Sequence, residues 1–138
     1  MKIKLIIFIM VFCIIPGLCF AGDVVVIVNP SVPETALSKK DLCNIYLGKK
    51  TSWSDGSKIK FVVLKGDTHA SFLKDYVGKT ENQFKTFWKK QVFTGKGSPP
   101  KEFDSARAMI EYVAQTAGAI GYVPAGTDVS KVKTIIIN

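Results

Sequence analysis

Five consecutive β-branched residues, Val24-Val25-Val26-Ile27-Val28, constrain the fold of this chain more than any other stretch. A half-exposed strand alternates apolar and polar residues. An unbroken apolar run instead suits a strand buried on both faces, as in a parallel sheet. Such a strand needs covering elements on both sides, so the pattern of the remaining segments decides the architecture.

Those segments alternate between strand and helix signals. Ser38 predicts a helix N-cap, with Asp41 three residues on and Leu37 and Leu42 at the two staple positions. Leu42, Ile45 and Tyr46 form the apolar stripe of that helix, and Gly48 stops it. Trp53 to Ser57 reads as a polar turn with Asp55-Gly56 at its tip, which leaves Trp53 partly exposed. Ile59 to Leu64 predicts a second strand. A tight loop, Lys65-Gly66-Asp67, leads to a helix starting near Thr68, with Phe72, Leu73, Tyr76 and Val77 facing inward and Gly78 at its end. Thr80 and Gln83 form a capping-box pattern before a stripe of Phe84, Phe87, Trp88 and Val92. Gly95 to Pro100 is a loop of turn formers. Asp104 or Ser105 caps a fourth helix with Ala106, Met109, Ile110 and Val113 on one face, ended by Gly118. Ala119 to Val123 and Val132 to Ile137 predict two further strands. The expected fold is α/β, a mixed or mostly parallel sheet flanked by helices.

The first residues carry a different signal. Lys2 and Lys4 precede an apolar run from Leu5 to Ile15, broken by Pro16-Gly17 and followed by Cys19-Phe20-Ala21. This is the layout of a secretory signal peptide, residues 1–21, cleaved after Ala21. The run is shorter than the roughly 20 residues that span a bilayer, so no integral membrane segment is expected after cleavage. Leu18 stands where a lipoprotein signal needs a small residue, which argues against an anchor at Cys19. The expectation is a periplasmic or secreted protein with one domain, residues 22–138. Cys43 is then the remaining cysteine and reads as a small buried hydrophobe rather than a reactive thiol. One histidine and one mature cysteine argue against a zinc site, and no cofactor is expected.

The full chain carries a formal charge of +8, lowered by two when Lys2 and Lys4 leave. A basic exported protein favours anionic partners: small oxyanions, lipid headgroups or the cell wall. Lys39-Lys40, Lys49-Lys50 and Lys89-Lys90 read as solvated helix faces. Export and the lack of aromatic residues among the basic ones argue against nucleic acid.

Motifs for catalysis fail. Gly78-Lys79-Thr80 resembles the end of a phosphate-binding loop, but Leu73 occupies the position of its first glycine. Gly118-Ala119-Ile120-Gly121 lies between a helix and a strand, the reverse of a dinucleotide fingerprint. His69 has no nucleophile or triad pattern around it. The expectation is a binding protein, not an enzyme.

One stretch has a binding chemistry. Lys65-Gly66-Asp67-Thr68-His69-Ala70-Ser71 follows a strand and opens a helix, where unpaired N–H groups and the helix dipole favour an anion. Thr68 and Ser71 bring hydroxyls and Lys65 brings charge. In open α/β sheets, ligands gather at the carboxyl ends of strands, where this loop lies. A second helix start, Asp104-Ser105-Ala106-Arg107, carries the chain's single arginine, a side chain suited to bidentate oxyanion contacts. Asp104 would repel an anion and suits a capping role. Tyr122 reads first as a packing residue and second as a cleft residue.

Four segments together carry a resemblance to a known family. They are Leu37-Ser38-Lys39-Lys40-Asp41-Leu42, Ile45-Tyr46-Leu47-Gly48-Lys49, Trp53 with Asp55-Gly56, and Gly118-Ala119-Ile120-Gly121-Tyr122. In order and approximate spacing they resemble the periplasmic solute-binding proteins of phosphate ABC transporters. Phe93-Thr94-Gly95 followed by Pro99-Pro100 is similar to the short, single-module members. The resemblance implies a type II periplasmic-binding-protein-like module that binds phosphate, or a related small oxyanion, noncovalently for an ABC transporter permease or a membrane sensor. It implies a site held by backbone N–H groups, hydroxyls, an arginine and an acidic group that accepts a phosphate proton. The candidate ligand set, taken from the residue reading and the resemblance together, is Lys65, Asp67, Thr68, His69, Ser71, Ser105, Arg107 and Tyr122. The family's Ser-Gly-Thr motif is absent from the Lys65 to Ser71 stretch, and Lys65 stands where an arginine would serve. The chain is also under half the length of a full two-lobed binding protein. An extracytoplasmic protein-interaction module that kept the fold and lost the ligand is the alternative.

Overall fold

The computed structural model describes residues 24–138. The predicted signal peptide, with Cys13 and Cys19, lies outside the described residues. In chain order the elements are β1 (Val24–Val28), β2 (Ala36–Leu37), α1 (Lys39–Tyr46), β3 (Lys60–Leu64), α2 (Asp67–Phe72), α3 (Glu81–Phe93), β4 (Lys101–Phe103), α4 (Ala106–Gln115), β5 (Ala119–Pro124), β6 (Lys133–Thr134) and β7 (Ile136–Ile137). Five strands form one sheet in the order β4-β3-β5-β1-β6, and β2 pairs with β7 apart from it.

The sheet is mixed. β3 runs parallel to β4 and β5, whereas β1 runs antiparallel to both its neighbours, β5 and β6. The β-branched run of β1 is buried on both faces, with Val26 at 3%, Ile27 at 0% and Val28 at 0% exposure. Burial on two faces therefore carried the signal, and strand direction did not: an antiparallel strand covered on both sides needs the same residues.

Register shows what covers each face. Ile27 lies opposite Gly121, and Val26 opposite Tyr122. A Cβ on Gly121 would meet Met109 Sδ at 2.7 Å and Val62 Cγ2 at 3.1 Å, so α4 packs directly on this face. On the other face the Tyr122 ring stacks on Phe72 of α2 at 3.9 Å and lies 5.9 Å from Tyr46 of α1. Tyr46 is fully buried, and its hydroxyl donates to the Val62 carbonyl (3.0 Å). Trp88 of α3 extends this layer over Phe61, at 5.3 Å, and donates its Nε1–H to Tyr46 O (3.0 Å). Asn29, buried just beyond β1, donates to the Val113 and Ala114 carbonyls and accepts from Ser31 N–H, fixing the strand end to the last turn of α4.

The caps follow the sequence closely. Ser38 accepts from Asp41 N–H (3.0 Å), Thr80 and Gln83 form a reciprocal capping box, and Ser105, not Asp104, caps α4 through Ala108 N–H (3.1 Å). α2 departs from expectation. Its N-cap is Gly66, at φ 102°, with no side-chain hydrogen bond. The helix then widens into a single π-helical turn, Leu73–Val77, before Gly78 ends it at φ 72°.

Other expectations are corrected by long-range contacts. Trp53 is 2% exposed, because its Nε1–H donates to Gly118 O (3.0 Å) and draws the ring under the turn. Val92, expected on the inner stripe of α3, is 41% exposed in the last turn of that helix. The expected strand from Val132 to Ile137 divides in two: β6 continues on β1, and β7 leaves it to pair in parallel with β2. β4 and β2 carried no sequence signal, being only three and two residues long. Cys43 is partly buried and its thiol approaches the Val77 carbonyl at 3.8 Å.

Candidate functional site

The connection from β3 to α2 lies at the carboxyl end of a central strand, between β4 and β5. Leu64 ends the strand buried, Lys65 and Gly66 turn outward, and the helix begins at Asp67. Gly66 adopts a backbone that L side chains rarely reach, and its carbonyl accepts from the His69 and Ala70 N–H groups. The opening N–H groups of a helix have no partner inside it.

His69, half-buried, leans back over β5. Its Nδ1 is in hydrogen-bond contact with the Tyr122 hydroxyl, and the two rings lie parallel with centroids 6.1 Å apart. Phe84 of α3 closes the other side, edge-on to His69 at 5.6 Å. Burial pushes the His69 pKa below its usual value, against the opposing charges of Glu81 and Glu102. Burial likewise raises the Tyr122 phenol well above its usual range. The phenol therefore keeps its proton and the imidazole is neutral at pH 7. Tyr122 Oη already accepts from Leu64 N–H (3.1 Å). Its proton goes to the acceptor beside it, His69 Nδ1, which leaves the imidazole proton on Nε2.

Lys65 does not stand alone. Its ammonium lies 3.6 Å from Glu102 and 3.4 Å from Asp104. The β3–β4 pairing, with Leu64 opposite Phe103, sets the residues before α4 beside the start of α2. Ser105, exposed, spends its hydroxyl on the cap of α4, and Arg107, with a side chain 90% exposed, pairs with Glu111 at 3.6 Å. Asp67 is exposed, while Thr68 and Ser71 are partly buried. The fold thus gathers Lys65, His69 and Tyr122 with the helix start. Arg107, the second residue of α4, faces solvent and does not join them.

A groove of about 1180 Å³ opens from this loop. Lys65, Gly66 and His69 line one end. Phe84, Lys85, Trp88, Lys89 and Lys90 of α3 form its length, and Val92, Phe93, Pro99 and Pro100 close the far end, with Glu81 and Glu102 at the sides. Sequence reasoning did not assemble this groove, because it treated the α3 stripe as core and the Gly95 to Pro100 loop as a connection. The one available signal was Phe93, an aromatic residue outside the stripe. Among the described residues, no group of three or more His, Cys, Asp or Glu gathers as a metal site. Among them, too, no helix is long and apolar enough to cross a membrane.

A family model described as a PBP superfamily domain matches residues 18–135. A search of curated proteins finds no match. Several solved structures share the fold. One is PstS from Borrelia burgdorferi, with 18% identity and a TM-score of 0.66 over 85% of this chain and 47% of that one. Another is a Clostridium perfringens protein solved with bound phosphate, with 18% identity and a TM-score of 0.64 over 84% and 45%. A third is an ABC-type phosphate transport receptor from Vibrio cholerae, with 21% identity and a TM-score of 0.58 over 84% and 46%. At these identities the likeness is one of fold. The chain spans about half the length of each of these solved structures.

Proposed function

Because the chain belongs to the PBP superfamily, we propose that it is an exported solute-binding module that holds phosphate, or a related small oxyanion, without covalent chemistry. The observation that supports this most is the β3–α2 connection: an exposed helix start at the carboxyl end of a central strand, with Lys65 and His69 beside it. In this reading the first N–H groups of α2 and the Thr68 and Ser71 hydroxyls hold the oxyanion. Lys65 turns from Glu102 and Asp104 toward the ligand. Both of those ion pairs are at least half-exposed, so releasing them costs about 1 kcal/mol or less apiece. His69 Nε2–H supplies a further donor. Asp67 is the candidate acceptor for a phosphate proton. Tyr122 sets the imidazole in place and does not touch the ligand. Ser105 and Arg107 would join only through a shift at the start of α4. The ligand would then pass to an ABC transporter permease or a membrane sensor, with residues 1–21 acting as the export signal and 22–138 as the domain.

Calorimetric titration of the purified protein with phosphate, then sulfate, at low salt tests this. Saturable heat, absent in Thr68→Ala/Ser71→Ala, is the expected result. Gly66, not either hydroxyl, caps α2, so the double variant should remain folded and give a clean comparison. No heat and no rise in melting temperature with either anion would refute the reading.

A further inference from the structure

We propose that the groove along α3 docks a polypeptide segment with an apolar anchor flanked by carboxylates. This goes beyond solute binding and does not depend on it. Phe93, the last residue of α3, is 93% exposed, and Val92 beside it is 41% exposed. Large apolar side chains left in water at a groove end mark a contact surface. The floor runs from them to Trp88, which is 7% exposed and held by its hydrogen bond to Tyr46 O, so an inserted side chain would meet a preformed wall. At about 1180 Å³ the groove is open and has room for several side chains of a segment laid along α3.

Charge selects the occupant. Lys85, Lys89 and Lys90 line the groove, and of the two carboxylates there, Glu102 is paired with Lys65. The rim is therefore positive, and a carboxylate-bearing segment complements it. A second copy of this chain fits poorly, because a two-fold contact would set this patch against itself, lysine to lysine. A bilayer could take Phe93 but is too flat to fill the floor at Trp88.

The test is selection of displayed random short peptides on the purified protein, followed by titration of the synthesised winners. Winners should carry Asp or Glu around a Trp, Phe or Leu. Phe93→Ser should weaken them by roughly tenfold or more, as loss of an interface anchor does. Lys89→Gln/Lys90→Gln should also weaken them and reduce their sensitivity to salt. Phe93 and both lysines are exposed, so the variants should melt as the parent does. Selection of no peptide, or of peptides indifferent to Phe93→Ser, overturns the proposal. So does peptide-free binding to anionic phospholipid vesicles that Phe93→Ser abolishes, which would assign the patch to a membrane. Sedimentation showing a dimer lost in Phe93→Ser would assign it to a second copy and overturn the proposal equally. Phosphate heat retained in Phe93→Ser separates this outcome from that of the solute reading.

Discussion

Tyr122→Phe removes one oxygen from the interior and breaks two contacts at once. The ring should stay, because it is stacked on Phe72 and held against Tyr46 by contacts that Phe reproduces. What is lost is the acceptor for Leu64 N–H and the partner of His69 Nδ1. Tyr122 is 0% exposed, so no water readily replaces the oxygen for Leu64. A buried donor left unpaired costs about 1–3 kcal/mol. His69, half-buried, loses a hydrogen bond worth about 0.5–1.5 kcal/mol, part of which water returns. The expected destabilisation is about 2–3 kcal/mol. For a domain of this size that lowers the melting temperature by about 10 °C.

Scanning calorimetry at neutral pH reads the stability, and NMR reads the cause. The chain has a single histidine, so its ring signals need no assignment. In the parent, the nitrogen spectrum should show a neutral ring with the proton on Nε2 and Nδ1 accepting. In Tyr122→Phe the Nδ1 signal should move toward that of a solvated nitrogen. A fall in melting temperature below about 3 °C would refute the energetic argument. A parent ring protonated on Nδ1 would refute the direction assigned to the bond, even if stability fell as expected.

Two further perturbations test the frame around the site. Gly118→Ala places a Cβ 2.2 Å from the Lys58 carbonyl at a residue with φ +78°, and the Gly118 carbonyl also accepts from Trp53 and Lys60. Left-handed backbone costs about 1–2 kcal/mol and the clash adds a similar amount, so urea denaturation should show a loss of about 3 kcal/mol. His69 sets a pH dependence. Its folded-state pKa is lowered by burial, so below its unfolded value of about 6.5 the unfolded chain binds the proton more readily. Its contribution should be complete above about pH 6.5 and fade as pH falls through the lowered folded value. Melting temperature should therefore fall as pH drops below about 6.5, and this part of the slope should be lost in His69→Gln.

Much of the frame is local and was therefore legible. Ser38, Thr80 and Ser105 cap helices through groups three residues away, a distance that sequence displays directly. The β-branched run of β1 announced its burial. What failed depends on partners distant in the chain. Trp53 looked exposed because its turn is polar, and the carbonyl that buries it is 65 residues on. His69 and Tyr122 are 53 residues apart, and nothing near either predicts their contact. The same holds for β7, whose two residues pair with β2 only because the chain returns there after β6. The helix start at Lys65 to Ser71 was legible as a pattern. That Lys65 would be shared by Glu102 and Asp104 was not, because β4 was unrecognised.

That sharing bears on how an open site of this kind works. Lys65, Glu102 and Asp104 are at least half-exposed, so water screens their charges. A bound anion on this surface would be screened in the same way, and each contact to it would be weak. Electrostatic recognition strengthens when water is excluded. The α3 groove begins at the same residues, Lys65, Gly66 and His69. A segment seated in it would lie against the loop and shield it. If both proposals hold, the two sites are thermodynamically linked, and whatever the partner does to anion affinity the anion does to the partner's. Flanking carboxylates placed over Lys65 would compete with the anion; carboxylates confined to Lys85, Lys89 and Lys90 would leave it free and raise its affinity by excluding water. The sign of that coupling thus depends on where along α3 the acidic residues of the partner fall.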